Sequence, residues 1–147
     1  MILPNEEATE AAGRALAPSL RPGDVIALSG DLGAGKTCFA RGVLAGLGLE
    51  DEAPSPSFAL VISYAPPAVR IPVSHVDLYR LESEEEAQEL GLDDALLDSA
   101  LLVEWPERLG ARLWPYALKI WLKEEPSGGR RLTVSVPPSW EARCPFR

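Results

Sequence analysis

The chain has 147 residues, of which 46% are hydrophobic, and this suits one domain with a single core. Its formal net charge of −8 at pH 7 means that a broad surface repels phosphate backbones, so direct binding to DNA or RNA is not expected. No apolar run approaches the roughly 20 residues that cross a bilayer, and the acidic N-terminal segment lacks a targeting pattern, so we expect a cytoplasmic protein without membrane contact.

The first part of the chain predicts a helix, a strand, a glycine-rich loop and a second helix. Asn5 or Thr9 is placed to cap the first helix, since both side chains can accept a backbone hydrogen bond. An apolar run bounded by turn residues on both sides then predicts a strand that is buried on both faces. These four elements are expected at residues 5–17, 25–29, 30–35 and 36–47.

The rest of the chain alternates strand-like runs with turns and a short acidic helix. The runs 58–64 and 72–79 flank a proline-rich turn, and such a pair is expected to be antiparallel. A core strand and two final strands are expected at residues 101–104, 117–122 and 131–136. The sum predicts one α/β domain over residues 1–147, with helices around a mixed sheet that is parallel near the glycine loop and antiparallel toward its edges.

The glycine-rich loop carries a phosphate-binding motif. Residues 30–37 read GDLGAGKT and match G-x-x-x-x-G-K-[ST] between a strand and a helix, which predicts a P-loop NTPase-like fold. Glycines let successive backbone N–H groups point at phosphate oxygens, and the helix adds the positive end of its dipole. Lys36 is placed to reach the β- and γ-phosphates, and the Thr37 hydroxyl to bind magnesium. The residues predicted to bind ATP or ADP here are Asp31, Leu32, Gly33, Ala34, Gly35, Lys36, Thr37 and Cys38.

A P-loop alone does not name the reaction, because kinases, GTPases and several kinds of ATPase share it. The sequence has no Asn-Lys-x-Asp element to read guanine, which favours ATP over GTP. A small-molecule kinase would share the loop, but it needs an acceptor pocket and usually an arginine-rich lid, whereas the arginines after Thr37 are scattered. A nucleotide-gated binding module with negligible turnover is a third interpretation.

Two acidic residues lie at or near the ends of strand-like runs. Glu104 ends an apolar run, where ligands gather in an open α/β sheet, so we expect it to face the loop. Asp77 lies in a run with His75 and Tyr79, and strand alternation places these three side chains on one face. A purely structural role is open for Asp77, as a brace bonded to Arg80 or to a turn amide.

Five segments in order along the chain resemble the TsaE (YjeE) family of bacterial ATPases. They are GDLGAGKT at 30–37, SPSF at 55–58, HVDLYR at 75–80, ELGL at 89–92 and VEWP at 103–106. The resemblance runs from about residue 5 to residue 131. It implies an ATPase that acts with the partners TsaD and TsaB in making threonylcarbamoyladenosine in tRNA. It further implies slow hydrolysis that the partners accelerate, with tRNA contacted only indirectly through the complex.

The resemblance also implies roles for the two acidic residues. Glu104 is implied as the carboxylate partner of Thr37 at magnesium, directly or through water. Asp77 is implied to orient the attacking water or the magnesium shell. With Lys36, these two carboxylates form the predicted catalytic set.

Further roles are implied for segments on either side of the loop. Residues 55–58 are implied to form a switch that senses the γ-phosphate, and Glu6, Thr9 and Arg130 to come near the nucleotide. The chain departs from the family pattern at Ser57 and Cys38, where threonine is usual. Ser57 keeps a hydroxyl, whereas Cys38 has a thiol in its place, and the predicted magnesium ligand Thr37 is unchanged.

Overall fold

Apolar runs separated by turn residues build a seven-stranded sheet with helices on both faces. The computed structural model describes residues 1–56 and 60–146. Its strands are β1 Ile2–Leu3, β2 Val25–Ser29, β3 Val61–Tyr64, β4 Val73–Asp77, β5 Ala100–Glu104, β6 Leu118–Glu124 and β7 Arg130–Ser135. Its helices are α1 Glu6–Leu16, α2 Lys36–Gly46, α3 Glu84–Gln88 and α4 Leu92–Ala95, with 3-10 segments at Ala17–Ser19, Pro106–Arg112 and Pro138–Trp140. In this described part of the chain, no helix combines the length and apolar character that a bilayer crossing requires.

The sheet is parallel at its centre and antiparallel at both edges. Its strand order is β1-β7-β6-β2-β5-β4-β3. Strand β2 lies parallel to both β5 and β6, and β4 lies parallel to β5, whereas β3 and the β6–β7–β1 edge pair antiparallel. This confirms the predicted α/β fold and the predicted antiparallel pair that became β3 and β4. Because β2 has a parallel neighbour on each side, its C-terminal end opens where ligands collect in such sheets.

Each face of the central strands packs against its own apolar cluster. In β2, Ile26 and Leu28 pack in the cluster that includes α1 and α2, while Val25 and Ala27 pack in the cluster that includes α3 and α4. All four side chains are buried. Burial on both faces explains why the strand reads as a continuous apolar run rather than an alternating one.

The structure settles where the first helix begins and adds a strand before it. Asn5 caps α1, because its side-chain oxygen accepts a hydrogen bond from the Ala8 N–H at 2.9 Å. Thr9, the alternative cap, lies inside the helix. Strand β1 was missed, because two residues are too few to show a period, and they become a strand only by pairing with β7.

The predicted strand 72–79 is shorter in the structure and ends at Asp77. Tyr79 therefore lies beyond the strand and is 41% exposed. The prediction that three side chains share one polar face of the strand is wrong, because only His75 and Asp77 lie on it. The other half of this hairpin is β3, and residues 58 and 59 of its predicted length lie outside the described residues.

An ion pair fastens the C-terminal segment to the start of β2. Arg143 donates to both carboxylate oxygens of Asp24, at 2.6 and 2.7 Å, and to the Ser19 carbonyl at 2.7 Å. The guanidinium also lies 3.8 Å from the ring centroid of the buried Trp140. The two charged side chains are only 14% and 11% exposed, so water screens the pair weakly.

Replacing Arg143 by alanine is expected to lower the free energy of unfolding by about 3 kcal/mol, because Asp24 is left as a mostly buried carboxylate without its cation. Urea unfolding followed by tryptophan fluorescence measures the change. The matched control is Arg14→Ala, whose pair with Glu10 is 57% and 43% exposed and should contribute no more than about 0.5 kcal/mol. Similar losses for the two variants would contradict this assignment.

Candidate functional site

The loop between β2 and α2 turns through backbone conformations that glycine favours. Gly33 and Gly35 have φ angles of 80° and 101°, in the left-handed region where a Cβ is unfavourable. A Cβ on Gly30 would also clash with the backbone carbonyl oxygen of Leu122 in β6. The glycine spacing of the motif therefore fits both the curl of the loop and its close approach to β6.

A cavity of about 530 Å³ opens beside this loop, which is within the range of small-molecule sites. Eleven predicted site residues line it: Glu6, Thr9, Leu32, Gly33, Gly35, Lys36, Thr37, Cys38, Asp77, Glu104 and Arg130. Asp31 and Ala34 do not. Ala34 is buried in the core. Asp31 belongs to the turn of the loop, where its carbonyl oxygen accepts a hydrogen bond from the Ala34 N–H at 3.0 Å.

The ammonium of Lys36 lies folded against the loop. Its Nζ donates to the carbonyl oxygens of Gly30 and Asp31, at 2.5 and 2.8 Å, and lies 4.4 Å from the ring centroid of Trp105. Burial lowers the pKa of Lys36, and the nearby carboxylates, of which Glu104 acts most strongly, oppose that shift. A phosphate group would give this ammonium a full counter-charge in place of carbonyl dipoles.

Glu104 and Thr37 meet where the end of β5 faces the first turn of α2. The Thr37 hydroxyl lies 2.9 Å from Oε1 and 3.0 Å from Oε2 of Glu104, and it donates to this carboxylate. Glu104 is only 3% exposed. The register pairs Leu28 of β2 with Glu104, so the carboxylate lies level with the start of the loop. Its role at a metal stays a prediction.

The donor set fits magnesium that enters with a nucleotide. A hydroxyl and a carboxylate are hard oxygen ligands, which magnesium prefers. Within residues 1–56 and 60–146, no three His, Cys, Asp or Glu side chains group so as to hold a metal by themselves. Magnesium commonly keeps several waters and takes its remaining ligands from phosphates, so one or two protein oxygens are enough. Thr37 and Glu104 are the residues that would hold it.

Asp77 lines the same cavity from the end of β4, and the register pairs it with Glu104. One of its oxygens, Oδ1, accepts a hydrogen bond from the Tyr79 N–H at 2.9 Å. This is the turn-amide contact that a structural brace would make. The same carboxylate can brace the turn and face a ligand, so both predicted roles stay open.

Arg130 connects the start of β7 to the outer side of the loop. Its guanidinium donates to the carbonyl oxygens of Gly33 at 2.9 Å and Ala34 at 3.1 Å, and it lies 3.7 Å from Glu124. In a trans peptide the C=O and the following N–H point to opposite sides. Holding the Ala34 carbonyl therefore directs the Gly35 N–H away from Arg130. This contact with loop carbonyls is one that sequence reasoning missed.

A family model described as "Threonylcarbamoyl adenosine biosynthesis protein TsaE" matches residues 3–132. The chain belongs to the TsaE family. It is 40% identical to the tRNA threonylcarbamoyladenosine biosynthesis protein TsaE of Rickettsia felis, over 82% of this chain and 70% of that protein. It is 37% identical to the protein of the same description from Bacillus subtilis, over 90% of this chain and 82% of that one. A crystal structure of Bacillus subtilis YdiB superposes with a TM-score of 0.79 at 33% identity, covering 95% of this chain and 86% of the other.

Membership of the TsaE family confirms the resemblance that the five sequence segments indicated. The family is one of P-loop ATPases, and membership implies nucleotide binding. The fold agrees with the same conclusion, because the YdiB structure superposes on nearly the whole chain.

Some wall residues and one predicted segment fall outside what sequence reasoning assigned. Pro4, Asn5 and Gly128 line the cavity because the N-terminal segment and the β6–β7 turn fold over the loop. No local pattern marked them, since their position depends on the β1–β7 pairing. Ser57 and Phe58 of the predicted TsaE-type switch lie outside the described residues, and the switch stays a prediction.

Cys38, where the TsaE pattern usually has threonine, is expected to react slowly with alkylating reagents near neutral pH. Burial, then the carboxylates of Glu6 and Glu10, raise the pKa of its thiol, and the thiolate is the reactive form. Labelling should therefore be slower than that of a short unstructured cysteine peptide and should keep rising with pH beyond the point where the peptide levels off.

Mass spectrometry of a Cys144→Ser variant treated with iodoacetamide measures this rate for Cys38 alone. ADP with magnesium should slow the labelling further, because Cys38 lines the cavity. A labelling rate equal to that of the peptide across the pH range would show that the pKa is not raised.

Proposed function

We propose that this TsaE-family chain, taken as one P-loop ATPase domain over residues 1–147, binds ATP with magnesium and hydrolyses it slowly. The turnover supports the TsaD–TsaB complex in threonylcarbamoyladenosine modification of tRNA. The supporting observation is the convergence of three groups in one cavity. These are the backbone loop, the buried Lys36 ammonium and the Thr37–Glu104 pair, whose two members are 67 residues apart in sequence.

The loop and Lys36 account for binding of the triphosphate tail. Backbone N–H groups at the start of α2 attract anionic oxygens, and α2 adds the positive end of its dipole. Lys36 exchanges its carbonyl partners for β- and γ-phosphate oxygens, which are stronger acceptors because they are charged. Magnesium would neutralise phosphate charge, and Thr37 and Glu104 are the residues that would hold it.

Asp77 is the group that we assign to the attacking water. Water attacks the γ-phosphorus while the bond from that phosphorus to the β–γ bridging oxygen breaks, which yields ADP and inorganic phosphate. Phosphoryl transfer depends mainly on positioning and electrostatics, so a carboxylate fixed at the cavity wall suits this task. Its Oδ1 bond to the Tyr79 N–H helps to fix it.

The acidic surface favours a protein partner over direct contact with tRNA. At a net charge of −8, RNA phosphates are repelled, so tRNA is contacted only through the complex. The relatives from Rickettsia felis and Bacillus subtilis carry tRNA threonylcarbamoyladenosine biosynthesis in their descriptions, which supports the same assignment.

The test is phosphate release from ATP, measured for the protein alone and with TsaD and TsaB added. We expect slow release alone, faster release with both partners, and loss of release in EDTA. Equal rates with and without partners would overturn the coupling to TsaD–TsaB. Binding without any release under either condition would favour a nucleotide-gated module, and transfer of labelled γ-phosphate to a metabolite would favour a kinase.

A further inference from the structure

His75 lies in the middle of β4 and contacts the carboxylate of Glu104. Its Nε2 lies 2.6 Å from Oε2 of Glu104, and the imidazole is fully buried. The other ring nitrogen, Nδ1, is buried without a hydrogen-bond partner within the described residues. None of the roles assigned above uses this histidine.

The contact follows from the register of two parallel strands. His75 pairs with Leu102 and Asp77 pairs with Glu104, so all four side chains lie on the same face of the sheet. His75 is therefore the diagonal neighbour of Glu104, and its ring reaches along the strands to the carboxylate. A shift of the register by one residue would turn the ring to the other face.

Burial makes the imidazole a poor choice for core packing alone. A buried polar atom without a partner is destabilising, and an apolar side chain of similar size would avoid the unpaired Nδ1. The bond from Nε2 is what distinguishes histidine from leucine at this position. A carboxylate has no proton to give, so Nε2 is the donor and Glu104 the acceptor.

The hydrogen bonds to Glu104 leave its two oxygens unequal. The single hydroxyl proton of Thr37 is shared between Oε1 and Oε2, and only Oε2 also accepts from His75. Each carboxylate oxygen has about two lone-pair sites, so Oε1 keeps more capacity for a further ligand. The donors on either side also oppose rotation of the carboxylate plane. Groups of this kind orient the oxygen that binds a metal.

We propose that His75 is a positioning residue, which holds Glu104 with Oε1 beside Thr37 and available to magnesium. This inference rests on the proposed magnesium-dependent binding of nucleotide. It predicts that His75 affects the affinity for the metal and leaves the metal-free contacts of the nucleotide unchanged.

The experiment compares His75→Leu with His75→Gln, because glutamine places an amide N–H near the position of Nε2. Electron paramagnetic resonance with Mn²⁺, in the presence of ADP, measures metal affinity without any turnover. We expect His75→Leu to weaken Mn²⁺ binding about 10- to 100-fold, and His75→Gln to restore most of the affinity. Calorimetry with ADP in EDTA should give the same affinity for both variants as for the unmodified protein.

A third variant and a double variant test whether the effect depends on the Nε2 donor and on the Glu104 carboxylate. His75→Asn places its amide near the position of Nδ1, so it should bind Mn²⁺ as weakly as His75→Leu, and it replaces that variant if leucine prevents folding. In a Glu104→Gln background, adding His75→Leu should change Mn²⁺ affinity little, because the carboxylate to be positioned is gone.

Three results would overturn the inference. Leucine at position 75 could leave Mn²⁺ affinity unchanged and alter only the thermal midpoint, which would show a packing role. Glutamine could be as defective as leucine, which would show that the Nε2 donor is not the cause. ADP binding in EDTA could fall with Mn²⁺ binding, which would show general damage. Failure of the proposed function is seen separately, as absence of Mg²⁺-dependent nucleotide binding in the unmodified protein.

Discussion

Replacing Lys36 by alanine is expected to lower ATP turnover by about 10²- to 10³-fold, the usual effect of removing one preorganised electrostatic contact. The ammonium lies among the carboxylates of Glu104, Asp77 and Asp31. Its loss exposes phosphate oxygens to that negative charge without the cation that opposes it. Nucleotide affinity in EDTA should therefore fall as well, which calorimetry with ADP measures independently of turnover.

The control for this change is Lys123→Ala, which removes the same charge from an exposed position on β6 that does not line the cavity. It should leave both ADP affinity and turnover close to the unmodified values. Equal ADP affinity in EDTA for Lys36→Ala and Lys123→Ala would contradict the assignment of Lys36 to the phosphates.

The elements around the loop could be predicted because local signals agree there. A continuous apolar run marks β2, and the predicted bounds of that strand match the structure. Helix α2 begins at Lys36 as expected and ends one residue earlier than predicted, at Gly46. Burial on both faces, turn residues and helix spacing all act within a few residues of the chain, so the sequence reports them directly.

The arrangement around the loop depends on long-range pairing, which one sequence does not report. The contact of His75 with Glu104 is set by the register of β4 and β5, and that of Arg130 with the loop carbonyls by the β6–β7 hairpin. That Glu104 approaches the loop could be predicted, because the C-terminal ends of parallel strands meet at one edge of a sheet. Which side chains contact each other at that edge could not be predicted. The His75–Glu104 bond and the bonds of Arg130 to the loop carbonyls both join residues that are far apart in sequence.

Replacing Glu104 by glutamine is expected to lower magnesium-dependent turnover by about 10²-fold while sparing metal-free nucleotide binding. Glutamine keeps the size of the side chain but removes the negative charge that a divalent cation needs. Without that charge, ADP affinity in EDTA should stay the same or rise, because a carboxylate near the phosphates is gone. Turnover against magnesium concentration and calorimetry in EDTA measure the two effects.

The changes in ADP affinity that the Lys36 and Glu104 substitutions cause in EDTA distinguish a metal-binding carboxylate from one that only shapes the cavity. Lys36→Ala removes a cation and should weaken ADP binding in EDTA, whereas Glu104→Gln removes an anion and should not. Glu85→Gln, the same change at an exposed position in α3, should alter neither turnover nor ADP binding. If Glu104→Gln weakened ADP binding in EDTA as much as Lys36→Ala, its hydrogen bonds to Thr37 and His75 would be holding the loop in shape. If Glu104→Gln kept full turnover at low magnesium, Glu104 would not be a ligand of the metal.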